Sequence, residues 1–536
     1  MTQPKELTRQ HPVHGTDFFK DDEYFGLLLK NLVSADSYRL LEERLKPFSQ
    51  KASGPWDSLA EEAALKYPFP HGVRIEPYDR VGNVIDQMWF PPPVRELRRD
   101  VVASGIFDNR SQVEQFAKVY LLSHLGEVSL TCPLACTEGL IRSISAVGSD
   151  FLKKTYLPKL RSVETPLAGA QFVTEQDMGS DIGALMTRAV PEGEGVWRLY
   201  GEKWFCSALD EYFLIAARPE GSSAGTAGVA IFLVPRTFEG RLNNLRIKRL
   251  KEKIGTRELP TAEIDLNGAI AYNIGPIEAG FKTLMNYVLN TSRVMNAASG
   301  CGMMARAYLE AKNYAEQRSA FGKKIIQYPM VKESLLKIQS ILTARRALFF
   351  YLVSELDHHP QADLGSDEAF WQRFLINLCK YRTAMGATEC SHEAILLLGG
   401  NGTIETFSIL PRLYRDSIVI ETWEGTHNTL ALQIARDGAR FPFRDYLSKN
   451  ILQRIELIQK KGLKDTAAWL QSEWKNTEPG LAHLADPAWM ASKARTLTDR
   501  LGALLEVAIY GSLASPKEET LLEKYRQEIS YSLRPL

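Results

Sequence analysis

Cysteine is scarce in this chain, with six in 536 residues, at positions 132, 136, 206, 301, 379 and 390. They are too few and too scattered for a disulfide framework, so a reducing compartment is expected. Cys132 and Cys136 lie in an apolar stretch with no second pair and no histidine pair at zinc-ligand spacing; they read as small buried hydrophobes, and no metal site is expected. Long apolar runs are also missing. No stretch of about 18 apolar residues occurs, and the N-terminal string MTQPKELTRQHPVHGTDFFKDDEYFG is polar throughout, which predicts a soluble, unexported, cytoplasmic protein without a membrane span. Neither sign of charge dominates, with 65 Lys plus Arg against 64 Asp plus Glu. That balance excludes a surface built as a whole for nucleic acid or anionic lipid. No G-x-G-x-x-G string follows a strand pattern, so a Rossmann site is not indicated, and no repeat or low-complexity tract interrupts the chain.

What remains is an ordinary globular balance, 45% hydrophobic and 24% charged. The length calls for three or four domains or one large multilayer enzyme. Residues 1–165 carry apolar side chains at three- and four-residue spacing, as in YFGLLLKNLVSADSYRLLEERL, and read as a helical domain. Over 166–275 the pattern changes to short β-prone runs such as LAGAQFVTE, YFLIAAR, GVAIFLVP and AEIDL, separated by Gly, Pro, Asp and Ser. The gaps are too short for crossover helices, so this middle β-domain is expected to be antiparallel. Residues 276–440 return to long helical patterns that suggest a bundle. Residues 441–536 form an additional helical segment with a break near 478–481; it holds 14 Lys plus Arg against 12 Asp plus Glu and is not a basic arm. The fold class is therefore α+β and multidomain, neither an alternating βαβ enzyme nor a barrel.

Four strings could carry chemistry. QFVTEQDMGSD, residues 171–181, leaves a strand and enters a turn whose backbone N–H groups, with the Thr174 and Ser180 hydroxyls, could receive phosphate or carbonyl oxygens; a plain strand and turn would look the same. GEKWFCS, residues 201–207, offers two aromatics and small polar groups, or simply a sheet core. In AEQRSAFGKKIIQYPM, Arg318 ends a long helix and Phe321-Gly322 opens the connection. A guanidinium there suits phosphate and a ring suits a base, although a helix C-terminus favours a cation in any case. In LLGGNGTIETFSILPRLYRDSIVIETWEGTHNT, Gly-rich loops flank an Arg-rich turn, and Glu424 sits between Trp423 and Gly425; an acid there could equally be no more than the neighbour of a helix cap.

In this order and spacing the strings TE-x-x-x-GSD at 174–181, R-x-x-FG at 318–322, GG-x-G at 399, YRD at 414 and WEGT at 423 resemble the acyl-CoA dehydrogenase family of flavoproteins. The WEGT variant, PRLYR, Pro329 and the extra C-terminal segment are most similar to its long AidB-type branch. The resemblance implies an N-terminal helical domain, a middle β-domain, a C-terminal bundle and a homotetramer. It also implies FAD, with Phe172, Val173 and Thr174 beside the flavin ring and Gly179 and Ser180 near the pyrophosphate or the CoA arm. Phe205 and Ser207 match the positions that pack on the flavin, and Arg318 and Phe321 those that hold the ADP portion across a subunit boundary. Gly399, Gly400, Thr426 and Asn428 match further cofactor positions. Ala320 replaces a threonine, so one polar contact of the family is missing. Glu424 matches the catalytic base, and Ser292 occupies the alternative base position of other branches, where a hydroxyl cannot serve. Arg293 would meet polar groups of CoA, or would be a buried salt-bridge arginine; Gly425 adjoins the thioester.

The implied reaction is α,β-dehydrogenation of an acyl-CoA to the trans-2-enoyl-CoA. Glu424 takes the α-proton, hydride passes to flavin N5, and electrons leave to an electron-transfer flavoprotein. Trp423 would exclude water from the carboxylate and strengthen it as a base. The region that lines the acyl pocket in the family matches residues 129–140, and a medium-to-long chain is expected. An oxygen-using acyl-CoA oxidase and an AidB-like DNA-associated stress protein are the alternatives. The charge difference of only +2 over 441–536 speaks against the second, and DNA is not an expected partner.

Overall fold

The computed structural model describes residues 15–68, 70–360, 366–515 and 518–536; the first fourteen residues of the polar N-terminal string lie outside them. The chain forms two compact units, Pro55–Ser299 with Thr422–Thr429, and Met1–Gly54 with Gly300–Glu421 and Leu430–Leu536. Among the described residues no helix is long and apolar enough to cross a membrane.

The β-rich unit is built around a seven-stranded sheet. Five strands close on themselves: Val196–Ser207 pairs with Thr261–Asn273 and Arg188–Gly193, Arg188–Gly193 with Tyr212–Pro219, and Ala230–Pro235 with both Tyr212–Pro219 and Thr261–Asn273. Closure leaves few open edges. Leu245–Leu250 and Gly169–Phe172 are attached outside the ring. Most pairings are antiparallel as expected, but Gly169–Phe172 and the start of Arg188–Gly193 run parallel to Tyr212–Pro219. The crossover that parallel pairing needs is supplied by strands instead of a helix: Arg188–Gly193 and Val196–Ser207 both lie between Gly169–Phe172 and Tyr212–Pro219.

The continuous apolar run YFLIAAR follows from burial on both faces. Phe213, Ile215 and Ala217 point into one core with Phe172, Phe232 and Val234. The alternate residues Leu214 and Ala216 point into a second core with Leu140, Ile141 and Ile144. Those three belong to the helix Thr131–Val147. Around the sheet lie Pro55–Lys66, Pro92–Ala103, Gln112–Leu122 and Asp150–Leu160. Ser111 and Ser149 cap the last two by accepting the N–H groups of Glu114 and Leu152. Within the zone that periodicity assigns to helices there is also a hairpin, Arg74–Tyr78 against Val84–Trp89. A π-helical turn, Leu284–Leu289, precedes the long helix Asn290–Gln317.

The helical unit contains Glu23–Leu32, Ala35–Ala52, Pro329–His358, Asp367–Leu398 and the four helices of the C-terminal segment, Phe443–Lys460, Lys464–Leu481, Pro487–Leu513 and Glu519–Ser532. Pro329 begins its helix at a position where a missing N–H costs nothing. The helix Lys464–Leu481 runs through Pro479 and across the break expected near 478–481; the chain interrupts its helices at 482–486 instead.

Candidate active site

After Phe172 the chain leaves the sheet and is immediately pinned. Trp204 donates its N–H to the Thr174 carbonyl at 2.9 Å, and Lys203 Nζ donates to the Val173 carbonyl at 3.2 Å. Lys203 is fully buried and meets Glu175 at 2.8 Å. The same carboxylate accepts the N–H groups of Met186 and Thr187 at 2.7 and 2.9 Å. Burial would raise the Glu175 carboxyl, but the Lys203 ammonium and the hydrogen bonds from Lys203, Thr187 and Met186 hold it below the usual value. Glu175 and Lys203 thus fix the loop from both ends, a pair that motif reasoning passed over although both lie inside the strings it selected. The bridged turn Glu175–Met178 then leaves Gly179 and Ser180 exposed, with open space beside Gly179.

Phe172 turns into the core, its ring 4.9 Å from that of Phe213, so it presents only backbone to the loop side. Phe205 does the reverse. The register between Val196–Ser207 and Thr261–Asn273 slips between the pairs Cys206–Ala262 and Lys203–Ile264. This bulge breaks the two-residue alternation, so that Lys203 and Cys206 both turn inward while Phe205 is 54% exposed. Ser207, two residues on, bonds the Thr261 hydroxyl at 2.8 Å.

Glu424 lies in the turn between the helices Leu410–Thr422 and His427–Arg440, within the segment Thr422–Thr429 that belongs to the same unit. It adopts φ +57 and is followed by Gly425 at φ +104, two successive left-handed residues of which only the glycine is at ease there. The buried Arg293 donates from Nε to the Glu424 carbonyl at 3.0 Å and so fixes the turn. Trp423 packs on the sheet core, as does Cys132, and Glu424 Oε2 is shielded from solvent. Thr429 joins this turn to the first loop, since its hydroxyl lies 3.2 Å from Ser180 Oγ and 3.1 Å from Thr426 Oγ1. Two strings about 250 residues apart in sequence therefore meet; Asn428 is exposed beside them. Ser292 Oγ donates to Gln171 Oε1 at 3.2 Å. Gly139 lets the helix Thr131–Val147 approach that side chain, because a Cβ there would meet Gln171 Nε2 at 2.4 Å.

At the start of the 129–140 region, Val128 and Ser129 are buried at φ +32 and +59. Glu127 holds this segment by accepting the Cys132 N–H at 3.2 Å and the Thr131 hydroxyl. Its N-terminal capping role was not visible in the sequence. A hydrogen bond with Cys136, together with burial, pushes the Cys132 thiol well up, so it is not a ready nucleophile.

Arg318, Phe321, Gly399 and Gly400 belong to the helical unit. Arg318 is exposed just before a two-residue hairpin, Ser319–Ala320 with Lys323–Lys324. Its central residues, Phe321 and Gly322, have φ +48 and +87, the signs of a type I′ turn. Phe321 is 97% exposed. Gly399 closes the helix Asp367–Leu398 at φ +63, a sufficient structural reason for glycine, and Gly400 beside it is exposed. Among the described residues no cluster of three or more His, Cys, Asp or Glu could hold a metal ion.

The family model for the acyl-CoA dehydrogenase middle domain matches residues 170–269, and that for the acyl-CoA dehydrogenase C-terminal domain matches 278–439. Acyl-CoA dehydrogenase family member 11 of Caenorhabditis elegans is 31% identical over 440 residues, covering 78% of this chain and 70% of that protein. The chain belongs to the acyl-CoA dehydrogenase family. Putative acyl-CoA dehydrogenase AidB of Escherichia coli is 33% identical over 379 residues, 67% of this chain and 68% of that one. The crystal structure of C. elegans ACDH-11 in complex with C11-CoA superposes with a TM-score of 0.89 at 26% identity, covering 100% of this chain and 94% of that one. Acyl-CoA dehydrogenases are FAD-dependent oxidoreductases acting on CoA thioesters, and the expected helical, β and helical order is theirs.

Proposed function

We propose that this protein dehydrogenates a straight-chain acyl-CoA of medium to long chain to the trans-2-enoyl-CoA, with Glu424 as the base. The observation that carries this reading is the Glu424 turn itself: a half-buried carboxylate with Oε2 shielded from solvent, on a strained backbone held by Arg293, joined through Thr429 to the loop bearing Ser180. The donor set suits a flavin. Phe205 offers an exposed ring face, Thr174 and Ser207 offer hydroxyls, and Gly179 and Ser180 offer open backbone and a hydroxyl for phosphate oxygens. Bound FAD supplies the acceptor for the hydride that leaves the β-carbon.

The remaining work belongs to the chain. Glu424 takes the α-proton as the Cα–H bond breaks, and its own backbone N–H steadies the charge that grows on the thioester oxygen. Trp423 limits water at the carboxylate. Arg318 and Phe321 hold the adenine end of the cofactor, Gly399, Gly400, Thr426 and Asn428 complete that set, and Gly425 leaves room for the thioester. Electrons then pass to an electron-transfer flavoprotein. A homotetramer and a reducing, cytoplasmic setting complete the proposal; all six cysteines are free thiols. The worm relative solved with C11-CoA supports the chain length.

Glu424→Gln is the test. The variant should stay yellow and flavin-loaded, while bleaching of the flavin by a ladder of acyl-CoAs slows by at least about 10²-fold. Unchanged bleaching would reject Glu424 as base. Hydrogen peroxide formed on substrate addition to the unaltered protein would replace the dehydrogenase with an oxidase.

A further inference from the structure

Behind Ser207 the hydrogen bonds run in a direction that the groups themselves dictate. Lys253 Nζ, which can only donate, bonds the Leu259 carbonyl at 2.7 Å and Thr261 Oγ1 at 2.8 Å. Thr261 is the cross-strand partner of Ser207, and their hydroxyl oxygens are 2.8 Å apart. Thr261 is only 3% exposed, so its hydroxyl proton has no water to go to. Were Ser207 the donor in this pair, Thr261 would accept twice and strand its own proton, at a cost of about 1–3 kcal/mol for a buried donor. The satisfied arrangement has Lys253 donating to Thr261 and Thr261 donating to Ser207. The proton of Ser207, which is only half-buried, is then turned away from the sheet.

We propose that Lys253 and Thr261 form a relay that makes Ser207 an obligate hydrogen-bond donor to an acceptor atom of the flavin. Lys253 is thereby a positioning residue that touches neither substrate nor cofactor. The inference rests on the assignment of Ser207 to the flavin made above. An ammonium at the head of the chain also polarises each hydroxyl after it, which strengthens the last donor.

The flavin midpoint potential reads this relay, because a donor to the ring stabilises its two oxidation states unequally. In flavin-loaded protein, Ser207→Ala should change the equilibrium between oxidised and reduced flavin by about tenfold, or about 30 mV for a two-electron couple. Thr261→Val, which cuts the relay and keeps the charge, should move the potential in the same direction, and so should Lys253→Met. Neither should add anything in the Ser207→Ala background. A Lys253→Met shift that persists undiminished without the Ser207 hydroxyl is a through-space charge effect and overturns the relay, as does Thr261→Val or Ser207→Ala leaving the potential in place. Failure of the unaltered chain to hold flavin overturns the proposed function itself, an outcome distinct from any of these.

Discussion

A lysine with no exposed surface is tolerable only beside a carboxylate with its remaining lone pairs satisfied, and Lys203 and Glu175 meet that condition. Removing one partner leaves the other charge buried alone. Glu175→Gln should therefore lower the unfolding free energy by about 3–5 kcal/mol in a denaturant titration, whereas adding Lys203→Met should recover much of the loss. The pair also sets a pH dependence. Because the folded Glu175 carboxyl lies below its unfolded value, its stabilisation is complete above the ordinary carboxylate range and drains away as pH falls through the folded value. Stability should decline on acidification in the unaltered protein, and the decline should be shallower in Glu175→Gln; equal slopes would remove this pair as a source. Motif strings located Thr174, Ser180 and Glu424 within this region. They could not show that Phe172 faces the core or that Arg293 is engaged by a carbonyl, because side-chain direction depends on neighbours distant in sequence.

Elements buried on both faces were legible, as YFLIAAR and GVAIFLVP show, since every position of Phe213–Ala217 and Val229–Pro235 carries an apolar side chain. The Arg74–Tyr78 and Val84–Trp89 hairpin was not, because its strands are mostly exposed or half-buried and carry no apolar alternation. Its turn is held by Asp79, which accepts the N–H groups of Val81 and Asn83 at 2.9 and 2.8 Å. The bulge in Val196–Ser207 also defeats period-two reasoning, which would place Lys203, Phe205 and Ser207 on one face. The hairpin around Phe321 is a further case, in which a bulky aromatic takes a left-handed position that favours Gly or Asn. Tyr328 braces it, donating its hydroxyl to the carbonyls of Ala320 and Phe321 at 2.9 and 3.2 Å. On the role proposed for Phe321, this strain is kept to hold the ring exposed for a ligand. Phe321→Asn should stabilise the flavin-free protein by about 1 kcal/mol in thermal unfolding and, on the proposed role, weaken retention of FAD on dialysis. Lower stability together with normal flavin content would count against both halves of that argument.

At the scale of the whole chain, the C-terminal segment is locked to the helical bundle of its own unit by buried charge. Arg382, on Asp367–Leu398, forms a two-pronged bond to Glu506 on Pro487–Leu513, at 2.9 and 2.8 Å. Tyr525 of the last helix donates to the same carboxylate, and Arg345 of Pro329–His358 lies 3.7 Å from it. Tyr381 adds a hydroxyl bond to Asp499 at 2.7 Å. Gly502 makes this possible, because a Cβ there would come within 2.7 Å of the Arg382 side chain that crosses it. One carboxylate with no exposed surface thus answers two buried guanidinium groups. Periodicity identified this segment as helical and its charge count as not basic, but which partner its charges meet could not be read from either. An appended domain could be deleted without harm, whereas a segment bonded in this way is part of the fold. Ending the chain after residue 440 should therefore leave Arg345 and Arg382 without Glu506 and remove the buried Leu501, Leu504 and Leu505 from the core of the unit, giving insoluble or molten protein. Glu506→Gln, which keeps the volume and removes the charge, should cost about 3–5 kcal/mol in the full-length chain. A soluble 1–440 fragment with native near-ultraviolet circular dichroism and full flavin content would show that the segment is dispensable to the fold.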